Sequence, residues 1–573
     1  MQLQKNIRRH CMLALLCFGA TVSVVFSPAQ AGETTLFWNA NVFTGNVQQP
    51  YADAVAIADG KIVAVGNVEE LKSKIGAGAQ LVDLGGKTLL PGLIDSHNHA
   101  VEAGVSKISA VADPELVSVD KLFRFAVASK KNGRGMSGDV LLISGLPTAL
   151  WSDTKALHAR FSTGQFATVP VFLAGSDGHA GWANRALLEK SGVDRSYIQN
   201  LSESERKYYG YAKDLTPNGF VVDAGQDIVL AHIPQPSREK MLSGARVATD
   251  YLHSLGITSW LDPAANREII TAYSDLANAH QLTAHVAAFV VVKANESDPL
   301  IETRALRNEF GSVPGLTIAG VKVFADGVAE YPSQTAAMTA PYAVTGKTGD
   351  LLFEPAKFSA MCVQADKEGM IVHIHAIGDR AVTESLNGIE AARKANGNSG
   401  LPHTITHLQF VLPQDLPRFK ELGVVAAMQL YWAKLEADSL ELLKPYVDPK
   451  VYALMYPARS LLNAGAVISG ASDWDVSTPN VFEAIYQAET RKGPKGVLNI
   501  REAMPREAML YAYTINAARA MNLQTSIGSI EAGKVADLTL LDRDVMTVSS
   551  NDVRKTQVLW TMVGGEKVYH AKQ

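Results

Sequence analysis

Cysteine is nearly absent from this chain. Three of its 573 residues are Cys, and two of them, Cys11 and Cys17, fall in the first thirty positions. The remainder keeps only Cys362, so an intramolecular disulfide is excluded. Cys362 lies in the apolar helical pattern Ala360-Met361-Cys362-Val363, a core position rather than that of a nucleophile. An excess of one charge is also lacking. The net charge is -4 and no block of like charge stands out, which leaves no electrostatic ground for nucleic acid as a partner and no charged tail. Low-complexity tracts and repeats with a period of about 20–50 residues are missing too, which excludes solenoid and array architectures. What remains is 47% apolar and 19% charged residues, the composition of a soluble globular protein with a large core. The length suits a large barrel plus a second domain.

The first segment differs from the rest. Lys5, Arg8 and Arg9 precede an apolar run from Cys11 to Phe26, and Ala29-Gln30-Ala31 gives a small-x-small cleavage signal. Residues 1–31 are read as a signal peptide, with Gly32 as the mature start. The run is shorter than the ~20 residues a membrane span needs, so no stable membrane insertion is expected after leader removal. The protein is expected to be periplasmic or secreted. The leader carries three basic residues and no acidic one, so its loss leaves a more negative mature chain.

From Thr34 to Leu90 the signals are short strands and turns. Leu36–Trp38, Ala54–Ile57 and Lys61–Val65 are β-type runs, and Asp59-Gly60 marks a hairpin. Val82–Leu90 reads as a further strand pair. From Pro91 apolar strands alternate with helical stretches such as 237–255, 355–368 and 380–395, which argues for a parallel α/β fold, and over that length for a barrel. Candidate strands begin at Gly92, Val140, Val171, Ile257, Leu282, Thr317, Ile371, Thr404, Val424 and Val467. These exceed the eight that a barrel needs, so some belong to insertions. After Ala520 strand signals return at Ile527–Ile530, Ala536–Leu541, Val558–Val563 and Lys567–Tyr569. The expected architecture is an α/β chain: a (β/α)8 TIM barrel over residues 91–520, with a composite β-sandwich domain formed by the N- and C-terminal segments, 32–90 and 521–573.

The chemistry sits at strand ends. Leu90–His99 carries His97 and His99 after an apolar run. Residues two apart on a strand share a face, so both imidazoles can reach one ion. A second His-x-His, His373 and His375, ends another apolar run, and here only one histidine need be a ligand. His407 closes Thr404–His407, and Asp473 follows Ile468–Ser472. A strand-end Asp can also be a helix cap.

In this order, and with Asp177–Asn184, Lys322–Gly327, Thr335–Tyr342, His375–Arg380 and Ser529–Asp537, the sequence resembles the amidohydrolase superfamily, in particular its YtcJ-like branch, amidohydrolase family 3. The resemblance spans nearly the whole mature chain. It implies two divalent metal ions, with Zn2+ the default. His97, His99 and Asp473 would serve the buried ion and His375 and His407 the second, with a carboxylated Lys322 bridging them. A carbamate turns a repelling ammonium into an anionic oxygen ligand. The resemblance also implies a pocket histidine at His179, for which a structural loop histidine is the alternative; Trp182 and Trp474 are candidates to line the pocket, with packing the alternative for Trp474. The sequence departs from the family at Thr406, Gln334 and Asp475, where Glu, Arg and Pro are common. These departures touch the substrate pocket rather than the ligands.

The function this implies is hydrolysis of a C–N bond, other than a peptide bond, in a small-molecule substrate. Asp473 would move the proton and His179 would hydrogen-bond the carbonyl. The alternatives are a mononuclear deaminase of a heterocycle and a non-catalytic binding protein on the same barrel. A homo-oligomer is compatible with the sequence.

Overall fold

The computed structural model describes residues 34–75, 78–112, 116, 118–175, 180–331 and 333–572. Eight strands form one parallel sheet in chain order: β1 (Leu93–Asp95), β2 (Ile257–Asp262), β3 (His285–Val291), β4 (Leu316–Phe324), β5 (Ile371–Ala376), β6 (Thr404–His407), β7 (Val425–Met428) and β8 (Val467–Gly470). The amide of Ser96 donates to the Gly470 carbonyl at 3.0 Å, and Asn98 bridges Trp474 in parallel. These contacts bring the first strand against the last and close the barrel at that end. Every residue of β2, β6 and β7 is buried, because one face meets the barrel interior and the other the outer helices.

Those helices follow local sequence rules. Arg238–Ser254 starts where the Ser237 side chain accepts the Lys240 amide, and Arg267–Asn278 where Asn266 accepts that of Ile269. Pro355–Lys367 opens on proline, whose missing N–H costs nothing in a first turn. No helix among the described residues is long and apolar enough to cross a membrane.

Two of the apolar runs read as candidate strands lie outside the barrel. Val140–Leu146 and Val171–Gly175 are neighbours in a separate six-stranded sheet, completed by Met136–Ser137, Ala180–Ala183, Pro217–Val222 and Tyr209–Tyr211. This sheet is inserted between β1 and β2 and carries its own apolar clusters, one around Phe161, Leu173 and Trp182 and one around Phe172, Leu187 and Val221. A short apolar run has the same pattern in either setting, so periodicity alone does not separate them.

The two chain ends share the third sheet. Its order is Glu566–His570, Val558–Val563, Leu538–Leu541, Gln80–Pro91, Thr35–Phe43, Ala54–Ala58 and Lys61–Gly66, with Tyr51–Ala52 paired to Thr35–Phe43. The rings of Phe37 and Trp560 lie 5.7 Å apart although their strands are three positions apart in the sheet. On a flat sheet that separation would be about 14 Å, so the sheet folds over its own apolar face, as a sandwich does. The segment Val82–Leu90 is one strand and not a pair: Gly85 and Gly86, at φ 61° and 73°, bulge it without turning it back. Ile527–Ile530 is a loop.

The Asp59-Gly60 turn is as expected, with φ 49° and 73°. A Cβ on Gly60 would stand 2.7 Å from the Gly564 carbonyl oxygen. Here the N-terminal hairpin meets the C-terminal one backbone to backbone. Gly60→Val is expected to cost on the order of 1–2 kcal/mol through strain and this clash. An unchanged thermal midpoint would refute the close approach.

Candidate metal centre

Asp95 ends β1 and is fully buried. Its Oδ1 accepts the amides of Ser472 at 2.9 Å and His97 at 3.3 Å, and its Oδ2 accepts Asn98 Nδ2 at 2.8 Å and the Ser472 hydroxyl at 2.5 Å. One carboxylate therefore ties the turn carrying His97 and His99 to the turn carrying Asp473. Burial pushes Asp95 up to about 6 against these four donors. Asp473 is held from a second side, because its amide donates to the His97 carbonyl at 2.8 Å.

Asp473 Oδ1 lies 3.1 Å from His99 Nε2 and 3.4 Å from His97 Nε2. Yet this buried oxygen has no aligned hydrogen bond. Donor atoms spaced like this face a common point rather than one another. Ligands about 2.0–2.1 Å from one tetrahedral ion are separated by roughly 3.3 Å, so the spacing fits a shared divalent cation. His97, His407 and Asp473 each offer a ligand atom, all within 4.8 Å of one another, and all three residues are buried.

Around this group sit the other predicted residues. His407 ends β6 with its ring 5.1 Å from that of His97 and 4.5 Å from that of His375. Its Nδ1 faces Gln429 Oε1 at 3.1 Å, while Gln429 Nε2 donates to Thr406 Oγ1 at 3.1 Å. The departure at Thr406 thus belongs to the set that orients His407. His375 Nε2 meets the Gly327 carbonyl at 3.0 Å, an outer contact of the kind that fixes a ligating ring. The two histidines of the second His-x-His divide their roles. His373 Nε2 lies 2.8 Å from His97 Nδ1, behind that ring, and its own Nδ1 is buried without a hydrogen bond. Lys322, in register with His373, is 1% exposed, and none of the described carboxylates lies within ion-pairing distance of it.

The backbone is constrained where the candidate ligands leave their strands. His407, Leu408 and Asp473 adopt φ 75°, 52° and 56°, which side-chain-bearing residues rarely occupy and which here aim the groups inward.

Electrostatics matches the geometry. Burial, with the Lys322 charge, pushes His97 down to about 3, and burial pushes His373 and His407 well below the usual imidazole range. Burial also brings Lys322 down to about 7. Burial opposes charge on Asp473, but the surrounding imidazoles overcome it and hold the carboxyl well below its usual range. Burial likewise opposes a proton on His99, but the Asp473 and Glu102 carboxylates raise that group to about 10. The neutral imidazoles of His97 and His407 beside one carboxylate fit the donor set of a divalent ion, and for His99 to join them it would have to give up its proton.

The two expected pocket aromatics sit in different surroundings. Trp182 is fully buried in the inserted unit, against His158 and Phe161, with its indole N–H donating to the Asn218 carbonyl. It packs within the apolar cluster of that unit. Trp474 packs on Tyr251, with ring centroids 5.2 Å apart. His179 lies outside the described residues. Sequence reading missed Asp95, Gln429 and the bracing role of His373. Asp95 stands inside the first motif, but an acid next to a strand end gives no sign of four donors. Gln429 carries no signal beyond its place after an apolar strand.

Asp95→Ala leaves four buried donors without their acceptor and is expected to cost about 2–4 kcal/mol. Denaturant unfolding in chelator would measure it. A midpoint equal to wild type would show that the carboxylate does not hold the two turns.

Residues 80–569 match the amidohydrolase family. The protein LONG AFTER FAR-RED 3 of Arabidopsis thaliana is 29% identical, over 96% of this chain and 94% of its own. An N-substituted formamide deformylase of Arthrobacter pascens is 27% identical, over 92% of this chain and 96% of its own. The crystal structure of an uncharacterized metal-dependent hydrolase from Pyrococcus horikoshii OT3 superposes with a TM-score of 0.73 at 23% identity, covering 91% of this chain and 99% of that one. At that identity the likeness speaks for the fold. The family match begins at the first residue of the Gln80–Pro91 strand and ends inside the last strand of the chain, so the whole barrel lies within it: the chain belongs to the amidohydrolase family and is a hydrolase of carbon–nitrogen bonds.

Proposed function

We propose that this protein cleaves an amide-type C–N bond of a small molecule at a centre built for two divalent metal ions, with zinc as the default occupant. His97, His99 and Asp473 would hold one ion, His375 and His407 the other, and Lys322, carboxylated, would bridge them. The observation that carries this reading is Asp473 Oδ1, buried between two imidazoles with no aligned hydrogen bond. For Lys322 the support is burial with none of the described carboxylates within ion-pairing distance. A permanent ammonium there would repel the cations, whereas a carbamate attracts them. The Arthrobacter pascens relative, a deformylase of N-substituted formamides by name, agrees with a C–N bond as target.

When bound, the ions would polarise the carbonyl and lower the pKa of water. Asp473 then accepts a proton from the attacking water at its carboxylate and returns it to the leaving nitrogen. The water oxygen joins the carbonyl carbon, the C–N bond breaks, and acid and amine leave. His97 stays oriented because His373 occupies its Nδ1, and His407 because Gln429 occupies its own. His179 is assigned the hydrogen bond to the carbonyl oxygen on family resemblance alone.

A second reading, a deaminase with one ion, draws on the compactness of the His97, His407 and Asp473 group, which suffices for one metal. Metal content separates the two. Wild type is expected to hold about two ions per chain and Lys322→Ala one or fewer. One ion in both proteins would discard the bridge and favour the single-metal reading. Export is part of the same proposal: residues 1–31 are removed and the mature protein begins at Gly32. The intact mass of protein recovered outside the cytoplasm tests this, and an unprocessed chain retained inside would reject it.

A further inference from the structure

Lys322 and Phe324 are two apart on β4 and so share a face. Lys322 is buried, but Phe324, at the C-terminal end of the strand, is 40% exposed. Its ring lies 5.3 Å from that of His375 and 4.9 Å from Lys322 Nζ. On the other side of the centre, the turn Leu430–Trp432 after β7 lays Trp432 parallel to His407, with centroids 5.6 Å apart and planes 9° apart. With His375 and His407 at 4.5 Å, four rings form a row: Phe324, His375, His407, Trp432. The two imidazoles in the middle are the proposed metal holders. The outer rings are the phenyl of Phe324 and the indole of Trp432, apolar but for its N–H, and both retain exposed surface. Lys434, the cation on the loop after β7, is paired with Glu436 at 3.2 Å and lies over Tyr431.

An aromatic ring left in water beside a reacting centre is unfavourable unless a ligand covers it. At the C-terminal mouth of a barrel, that ligand is the substrate. We propose that the substrate of this protein carries an aromatic or flat apolar group beside the scissile bond, and that Phe324 and Trp432 bind it. This rests on the C–N hydrolase reading above and narrows it to a substrate class. Phe324 and Trp432 are specificity-determining residues: they select the group next to the bond and take no part in proton transfer.

The test uses N-phenethylacetamide and N-ethylphenylacetamide, which place the ring on the amine or the acyl side, against N-ethylacetamide. Two readouts are taken: calorimetric binding to the metal-free protein and kcat/KM of the metal-loaded protein. Burying one ring predicts a preference of at least about 10-fold for one of the aromatic amides in both readouts. Phe324→Ala and Trp432→Leu should remove most of that preference. Phe324→Leu, which keeps apolar volume, guards against misfolding and should retain part of it. Trp432→Phe keeps an aromatic ring at this position and should also retain it. No preference in binding, or a preference that survives Phe324→Ala and Trp432→Leu, overturns the aromatic subsite whether or not turnover occurs. A preference lost in those variants, with no amide hydrolysed, keeps the subsite and rejects the hydrolase reading instead.

Discussion

The structure depends on how the barrel is closed. Eight parallel strands can form a ring only if the first meets the last, and in this chain they stand at opposite ends of the barrel sequence. The meeting is made by backbone contacts from Ser96 and Asn98 and by one buried carboxylate, Asp95, that accepts from both sides. The seam so formed is also where His97, His99 and Asp473 converge. Closure of the fold and assembly of the centre are therefore the same event, and a ligand displaced by a slip at the seam could not be repositioned by its own side chain.

Neutral imidazoles, a dehydrated lysine and a carboxylate crowded at one barrel end are poor company for a hydrophobic core. Burying polar groups without full partners costs free energy, and the uncommon backbone angles at His407 and Asp473 add to it. Such a cluster persists because a surrounding scaffold over-determines it: His373 behind His97, Gln429 beside His407, and the Gly327 carbonyl on His375. A cation at the centre would recover much of this cost, which is how a metal site lends stability to its protein.

Much of this was legible in the sequence because it is periodic. The His-x-His spacing at His97 and His99 states its own geometry, and the apolar runs ending in His407 and Asp473 announced strand ends. The hairpin at Asp59-Gly60 is written in turn chemistry, and the shared terminal sheet in the return of strand signals after Ala520. What failed was whatever depends on three-dimensional neighbours. Val140–Leu146 looks like a barrel strand but joins another sheet. Trp182, beside a functional motif, is consumed by local packing. His373 and His375 are equivalent in one dimension and distinct only once a neighbouring strand supplies His97. Phe324 is not legible as a site residue, because an aromatic residue at the end of an apolar strand looks like core until its exposure is known.

The shared terminal sheet has a consequence for how the molecule comes into being. The Gln80–Pro91 strand pairs on one side with Thr35–Phe43, its near neighbour in sequence, and on the other with Leu538–Leu541, which lies beyond the entire barrel. Until that distant strand has been synthesised, an apolar edge stands open at the root of the first barrel strand. A ribosome must therefore synthesise the whole barrel before the sheet can close, so the terminal sheet cannot be completed ahead of the barrel that it brackets. Until then it depends on whatever shields an open strand edge from its neighbours.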